Sequence, residues 1–151
     1  MTQTTTSYSA CDVVIYLDND SGTPVDISGS SNAIDHNWTN SVGTVSTFGA
    51  SGWTKSNSGC QKSGAITMTV LGTTAATEAF TTLTDWFFNH SGDARTLTWY
   101  EPDKNVGSHK FSGEVRLLSL SNPRPSDSSD PVQCTAELQT DGAWTWVTNA
   151  T

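Results

Sequence analysis

Residues 65 to 92, AITMTVLGTTAATEAFTTLTDWFFNHSG, change hydrophobic period part-way along. Ile66, Met68 and Val70 alternate with Thr67 and Thr69, the period of two that marks a half-buried strand. Beyond them Ala76, Ala79, Phe80, Leu83, Trp86 and Phe87 recur at helical spacing. Thr73 or Thr74 is placed as N-cap, Glu78 in the first turn, His90 near the end and Gly92 just past it, so a helix is predicted over 74–90. Its apolar stripe needs a surface to cover, and the other patterned segments all read as strands. A sheet covered by one helix is the solution left open.

Those strands are CDVVIYL, with Val13, Ile15 and Leu17 on one face; RTLTWYE and HKFSGEVRLLSLS, joined by PDKNVGS; VQCTAEL; and AWTWV after the Asp141-Gly142 turn. Phe111, Val115 and Leu117 are expected inward on one strand, and Val132, Cys134, Ala136 and Leu138 on another. The fold class is mainly β: a β-sandwich or barrel of about seven strands with one flanking α-helix. Charged residues make up only 15% of the 151, a mix that suits strands and polar loops in a single domain. Residues 1–10 read as a polar N-terminal arm, 11–147 as the domain and 148–151 as a polar tail. Residues 28–64, rich in Gly, Ser and Asn yet carrying Trp38, Phe48 and Trp53, read as a long loop or hairpin that packs on another subunit, because a spacer has no use for tryptophan.

Net charge is -8 with seven Lys and Arg, which disfavours any surface that grips nucleic acid by neutralising phosphates. No apolar run is long enough to span a membrane. Cysteines 11, 60 and 134 show neither a disulfide framework nor metal-ligand spacing. Asp18, Asp20 and Asp26 sit in YLDNDSGTPVDISG, but an EF-hand reading fails: Gly22, Thr23 and Gly29 stand where a ligand, the turn glycine and the bidentate glutamate belong. Turn formation explains the three acids. His36, His90 and His109 are dispersed, no activated nucleophile accompanies Asp35-His36, and Glu101 with Asp103 reads as a hairpin tip. No catalytic residue, metal site or cofactor is therefore assigned. Trp99, Trp144 and Trp146 are read as core or subunit interface, with a sugar-stacking platform as the other possibility.

Several strands carry Thr67, Thr69, Gln133, Thr135 and Glu137 opposite the core, so one side of the sheet meets water. The order of signatures, LDNDSGTPVDISG, Phe48-Gly49, KSGAITMTVLG, a helix ending in DWFF, TWYEP, then FSGEVRLLSLSNPRPSDSSDPVQCTAELQTDGAWTW, resembles the major tail protein, or tail tube protein, of long-tailed phages with non-contractile tails. The likeness runs from about Val13 to Trp146. It implies hexameric rings whose sheets join into a continuous barrel, stacked into a hollow tube of the virion that conducts DNA without sequence-specific binding. It also implies assembly in the host cytoplasm, with the tape measure, tail terminator and distal tail proteins as partners. Glu137, Gln133, Thr135 and Glu114 are the expected lumen-facing residues; alternation alone leaves open which side of the sandwich their face is. Trp38, Phe48, Trp53, Asp18, Asp20 and Asp26 are the expected contacts between subunits or rings. A carbohydrate-binding β-sandwich module or phage adhesin domain is the alternative reading.

Overall fold

The structure, a computed structural model, describes residues 7–45, 54–124, 126–127 and 129–150, with backbone alone at Lys55, Asn57 and Ser58. Its elements are β1 (Val14–Asp18), β2 (Pro24–Asp26), β3 (Ser31–Val45), β4 (Lys55–Leu71), α1 (Ala79–Asn89), β5 (Ala94–Glu101), β6 (His109–Ser121), β7 (Gln133–Thr140) and β8 (Thr145–Thr148). All the strands are linked in one eight-stranded antiparallel sheet of order β2-β1-β5-β6-β7-β4-β3, with β8 also on β6.

The sheet cannot be flat. His36 on β3 stacks on Trp99 of β5 with ring centroids 5.2 Å apart. Four strand spacings separate those strands in the sheet order, which would hold them about 19 Å apart on a plane. The sheet therefore curls until its edge strand meets its middle, and the curl encloses the core. Leu17, Leu97, Trp99, Val115, Met68, Ala136 and Leu138 fill it from the strands, and Ala79, Leu83 and Trp86 from α1. The expected inward sets are found: Ile15 and Leu17 are buried, as are Cys134, Ala136 and Leu138. On β6 a register shift between Leu117 and Ser119 lets both Leu117 and Leu120 pack on the core, while Leu118 between them is exposed.

The helix boundary differs from expectation. The helix starts at Ala79, not in the Thr73–Thr74 pair, and its N-cap position, Glu78, makes no side-chain cap. The first-turn amide of Ala79 instead donates to Ser30 Oγ at 3.0 Å, a buried hydroxyl 49 positions upstream. A partner so remote leaves no local signal, and Ala76 consequently stays exposed outside the helix. The described part of residues 28–64, expected as a loop or hairpin, forms a 3-10 turn (Ser28–Ser30), β3 and the first half of β4, paired antiparallel from Ser31↔Val70 to Val45↔Lys55 with shifts near Ala33 and Val42.

Leu83 is fully buried between helix and sheet. Leu83→Ala is expected to cost about 2–5 kcal/mol, read as a lower urea midpoint with an unchanged slope.

Candidate assembly surfaces

Register places the four expected lumen residues together. Thr96 lies opposite Glu114 and Thr98 opposite Ser112; Ser119 lies opposite Glu137 and Ser121 opposite Thr135; on the other side of β7, Thr67 faces Glu137, Thr69 faces Thr135 and Leu71 faces Gln133. Since Leu97, Val115, Ala136 and Met68 occupy the alternate positions and point into the core, Glu114, Gln133, Thr135 and Glu137 share the face turned away from it. That face is a lattice of hydroxyls and carboxylates. Thr96 Oγ1 donates to Glu114 Oε1 at 2.6 Å, Ser119 Oγ to Glu137 Oε2 at 2.8 Å, and the Thr98 and Ser112 hydroxyls lie 2.7 Å apart. Asp18, Asp26 and Asp35 fall on the same face by register, opposite Pro24, Tyr16 and Thr67. Its cations are engaged: Arg116 is clamped on Asp141 at 2.9 Å, and Lys110 lies over the Tyr100 ring.

The turn holding Asp18 and Asp20 is organised by the asparagine between them. Asn19 Oδ1 accepts from the Ser21 amide (3.0 Å), the Ser21 hydroxyl (2.8 Å) and the Thr23 amide (2.9 Å), and Gly22 takes a φ of 75°. Asp26 shapes the next turn by accepting from the Ser28 amide and hydroxyl, while Ser28 Oγ accepts from the Ile15 amide at 2.8 Å. The signal for Asn19 is its residue type, an Asx-turn former, and its acidic neighbours draw attention away from it. Among the described residues, no group of three His, Cys, Asp or Glu is placed to hold a metal, and no helix is long and apolar enough to cross a membrane.

A third feature lies at the base of the β3–β4 hairpin. β7 pairs with β4 only over Ala65–Leu71, so Lys55–Gly64 has β3 as its sole strand partner among the described residues. Ten residues of two-stranded ribbon, about 33 Å long, therefore project past the sheet. Trp38 (42% exposed), Val42 and Val45 lie on it; Phe48 and Trp53 lie outside the described residues. Where the ribbon leaves the sheet, Trp38 packs on Trp144 at 5.2 Å, and Trp144 on the buried Trp99 at 5.3 Å. Gly64 lies beneath Trp38, and a Cβ there would come within 2.4 Å of the indole. His36 joins the cluster, its Nε2 3.9 Å from Glu101 Oε1; Glu101 in turn accepts from Trp99 Nε1 at 2.9 Å and from Tyr8 at 3.1 Å. Between ribbon and β8 runs a cleft of about 730 Å³, lined by Trp38, Cys60, Lys62, Phe111, Trp144 and Trp146 among others. The three tryptophans read as core or interface thus divide: Trp99 is fully buried, Trp144 half-buried, and Trp146 is 62% exposed.

A scan against family models and a search of curated proteins both find no match. Solved structures do match. A chain from the tail of an empty gene transfer agent particle, refined with C6 symmetry, superimposes with a TM-score of 0.75 at 17% identity, covering 93% of this chain and 99% of that one. A chain of an extracellular contractile injection system sheath-tube complex gives 0.70 at 13% identity, with 94% and 92% covered. The SPP1 tail tube gives 0.66 at 12% identity, with 96% and 81% covered. The chain has the tail tube fold.

Within this tail tube fold, Asp18 is the carboxylate whose surroundings work against its charge. Partial burial holds its pKa above the usual value; Glu114 adds repulsion, while Thr96 and Arg95 pull the other way. Arg95 itself is 4% exposed, donates to Asp18 O at 3.3 Å and lies over Trp86; burial draws its pKa down against the pull of Asp85, Asp20, Asp93 and Asp18. An acid with a raised folded pKa stabilises most below its unfolded value and loses that contribution as pH rises through the folded one. Asp18→Asn is therefore expected to raise stability near neutral pH by roughly a few tenths of a kcal/mol. The difference should vanish below about pH 4, as followed by urea unfolding across pH.

Proposed function

We propose that this chain is a structural tube protein of a phage-like tail, a non-catalytic virion component that self-assembles as stacked rings around a hollow lumen. The observation that carries the reading is the projecting ribbon. A two-stranded hairpin without a third strand is marginal in water, and this one exposes Trp38, Val42 and Val45 along its visible length. It calls for a second copy to lie against. Hexameric rings agree with the C6 symmetry of the gene transfer agent tail whose fold this chain shares. Contacts between subunits or rings are assigned to Trp38 on the ribbon, to Phe48 and Trp53, and to the turns shaped around Asp18, Asp20 and Asp26.

The hydroxyl and carboxylate face supplies the lumen, with Glu114, Gln133, Thr135 and Glu137 towards the channel. Acids repeated around a ring repel phosphates within a Debye length of about 8 Å, so DNA passes without being held. The tape measure protein, a terminator and distal tail proteins complete the assembly; a cap and a sheath/tube terminator are among the solved structures with a similar fold. A non-contractile tail is the form proposed, with assembly in the host cytoplasm. The sugar-binding alternative draws less support, since of the expected platform Trp99 is fully buried and Trp144 is inclined to it at 45°.

Electron microscopy of the concentrated protein tests the role: hollow tubes or stacked rings are expected, and persistent monomers that bind glycans would replace the reading with a lectin. The lumen assignment has its own test. Tubes of Glu114→Lys/Glu137→Lys should form and retain double-stranded DNA at low salt, losing it as salt rises, whereas wild-type tubes retain none. Equal retention by both would place these residues elsewhere.

A further inference from the structure

The cleft and the most exposed large apolar side chain among the described residues are separate patches of the fold. Phe88, next to last in α1, is 73% exposed, the highest value among large hydrophobics of the described residues. It stands near the start of β5: Trp86 Nε1 donates to Asp93 O at 3.1 Å, and Ala94 pairs with Arg116. The cleft opens at Phe111 and Trp146, which are paired with each other. From Arg116 to Phe111 along β6 is about 17 Å at strand rise.

The two patches are complementary in charge. Phe88 is flanked by exposed Asp85 and Asp93, between which His90 lies at 3.6 and 3.8 Å. The cleft carries Lys62 on β4 and no Asp or Glu in its lining. An aromatic knob in an acidic setting thus matches an aromatic slot with a basic wall, and both belong to the same chain. A contact that joins two different patches does not close on itself with one partner; it generates a ring of several copies or an open filament.

We propose that Phe88 of one copy docks into the Trp38–Trp144–Trp146 cleft of a second copy, head to tail. This rests on the self-assembly reading above and adds to it a specific pair of surfaces. Aromatic burial of this kind anchors interfaces, and the carboxylates beside Phe88 steer it towards Lys62.

Cys60 lines the cleft and is exposed, which supplies a native reporter. Asn89, beside Phe88 and exposed, can carry the second thiol while the phenyl ring is kept. In Cys11→Ser/Asn89→Cys, a short flexible bis-maleimide should join the thiol introduced at position 89 of one chain to Cys60 of another. Denaturing gels should then show a ladder of multimers, because every copy carries both partners, and peptide mass spectrometry should identify the 60–89 link. Cys11→Ser/Cys60→Ser/Asn89→Cys should give no ladder, and adding either Phe88→Asp or Trp146→Asp to the first variant should suppress it. Absence of the 60–89 link, dimers joined only 89 to 89 or 60 to 60, or a ladder that survives Phe88→Asp overturns the proposal. Tubes of Cys11→Ser/Asn89→Cys seen by microscopy without the 60–89 link would refute this contact and leave the tube role standing; the link without tubes would do the reverse.

Discussion

The stacking of His36 on Trp99 is what the rest of the architecture depends on. Trp99 is also stacked on Phe111 at 5.0 Å and tilted against Trp144, so one buried indole joins β5, β6, the turn before β8 and β3. Without that meeting the edge strand would stand away from the middle of the sheet, and the apolar face of β4 and β7 would need another cover. Helix α1 alone cannot supply it, being only 11 residues long. Closure by the aromatics together with the helix leaves one enclosed core, with the hydroxyl and carboxylate face of the sheet turned to water.

That division of labour explains the unusual use of hydroxyl residues. Every carboxylate placed on the outer face by register adds repulsion to its neighbours, and Thr96 and Ser119 offset part of it by donating to Glu114 and Glu137. Arg95 does the corresponding work underneath. Its guanidinium lies over the Trp86 ring and among the acids of the first turn and the helix end, joining β1, β5 and α1 through one side chain.

Sequence legibility follows how local each cause is. The strand of Ile66, Met68 and Val70 and the strand of Cys134, Ala136 and Leu138 are plain, because a core on one side and water on the other enforce alternation. The start of α1 is not, because Ser30 caps it from a distance. The ribbon hides for a different reason: with neither side facing the core, its residues need not alternate in polarity. Yet Ile34, His36 and Trp38, where β3 still touches the core, do alternate with Asp35 and Asn37, and that short run carries the signal for both the strand and the histidine's inward position. Parity gathers Gln133, Thr135 and Glu137 on one face, whereas the bulge at Leu118 breaks the count on β6, so relating the rest of that strand to Glu114 requires the structure.

Strand β6 has a mechanical role. It is laced on one edge to β5 from His109 to Arg116 and on the other to β8 and then β7, so both edges are held over most of its length. A pull along its axis loads those ladders in shear, and many hydrogen bonds must give together instead of opening one by one. Between the last residue paired with β8 and the first paired with β7, the hold on the second edge passes to the turn before β8: Glu114 O accepts from the Asp141 amide at 2.8 Å and from Trp144 Nε1 at 3.1 Å. Under tension the strand therefore has no slack point there and behaves as one stiff rod.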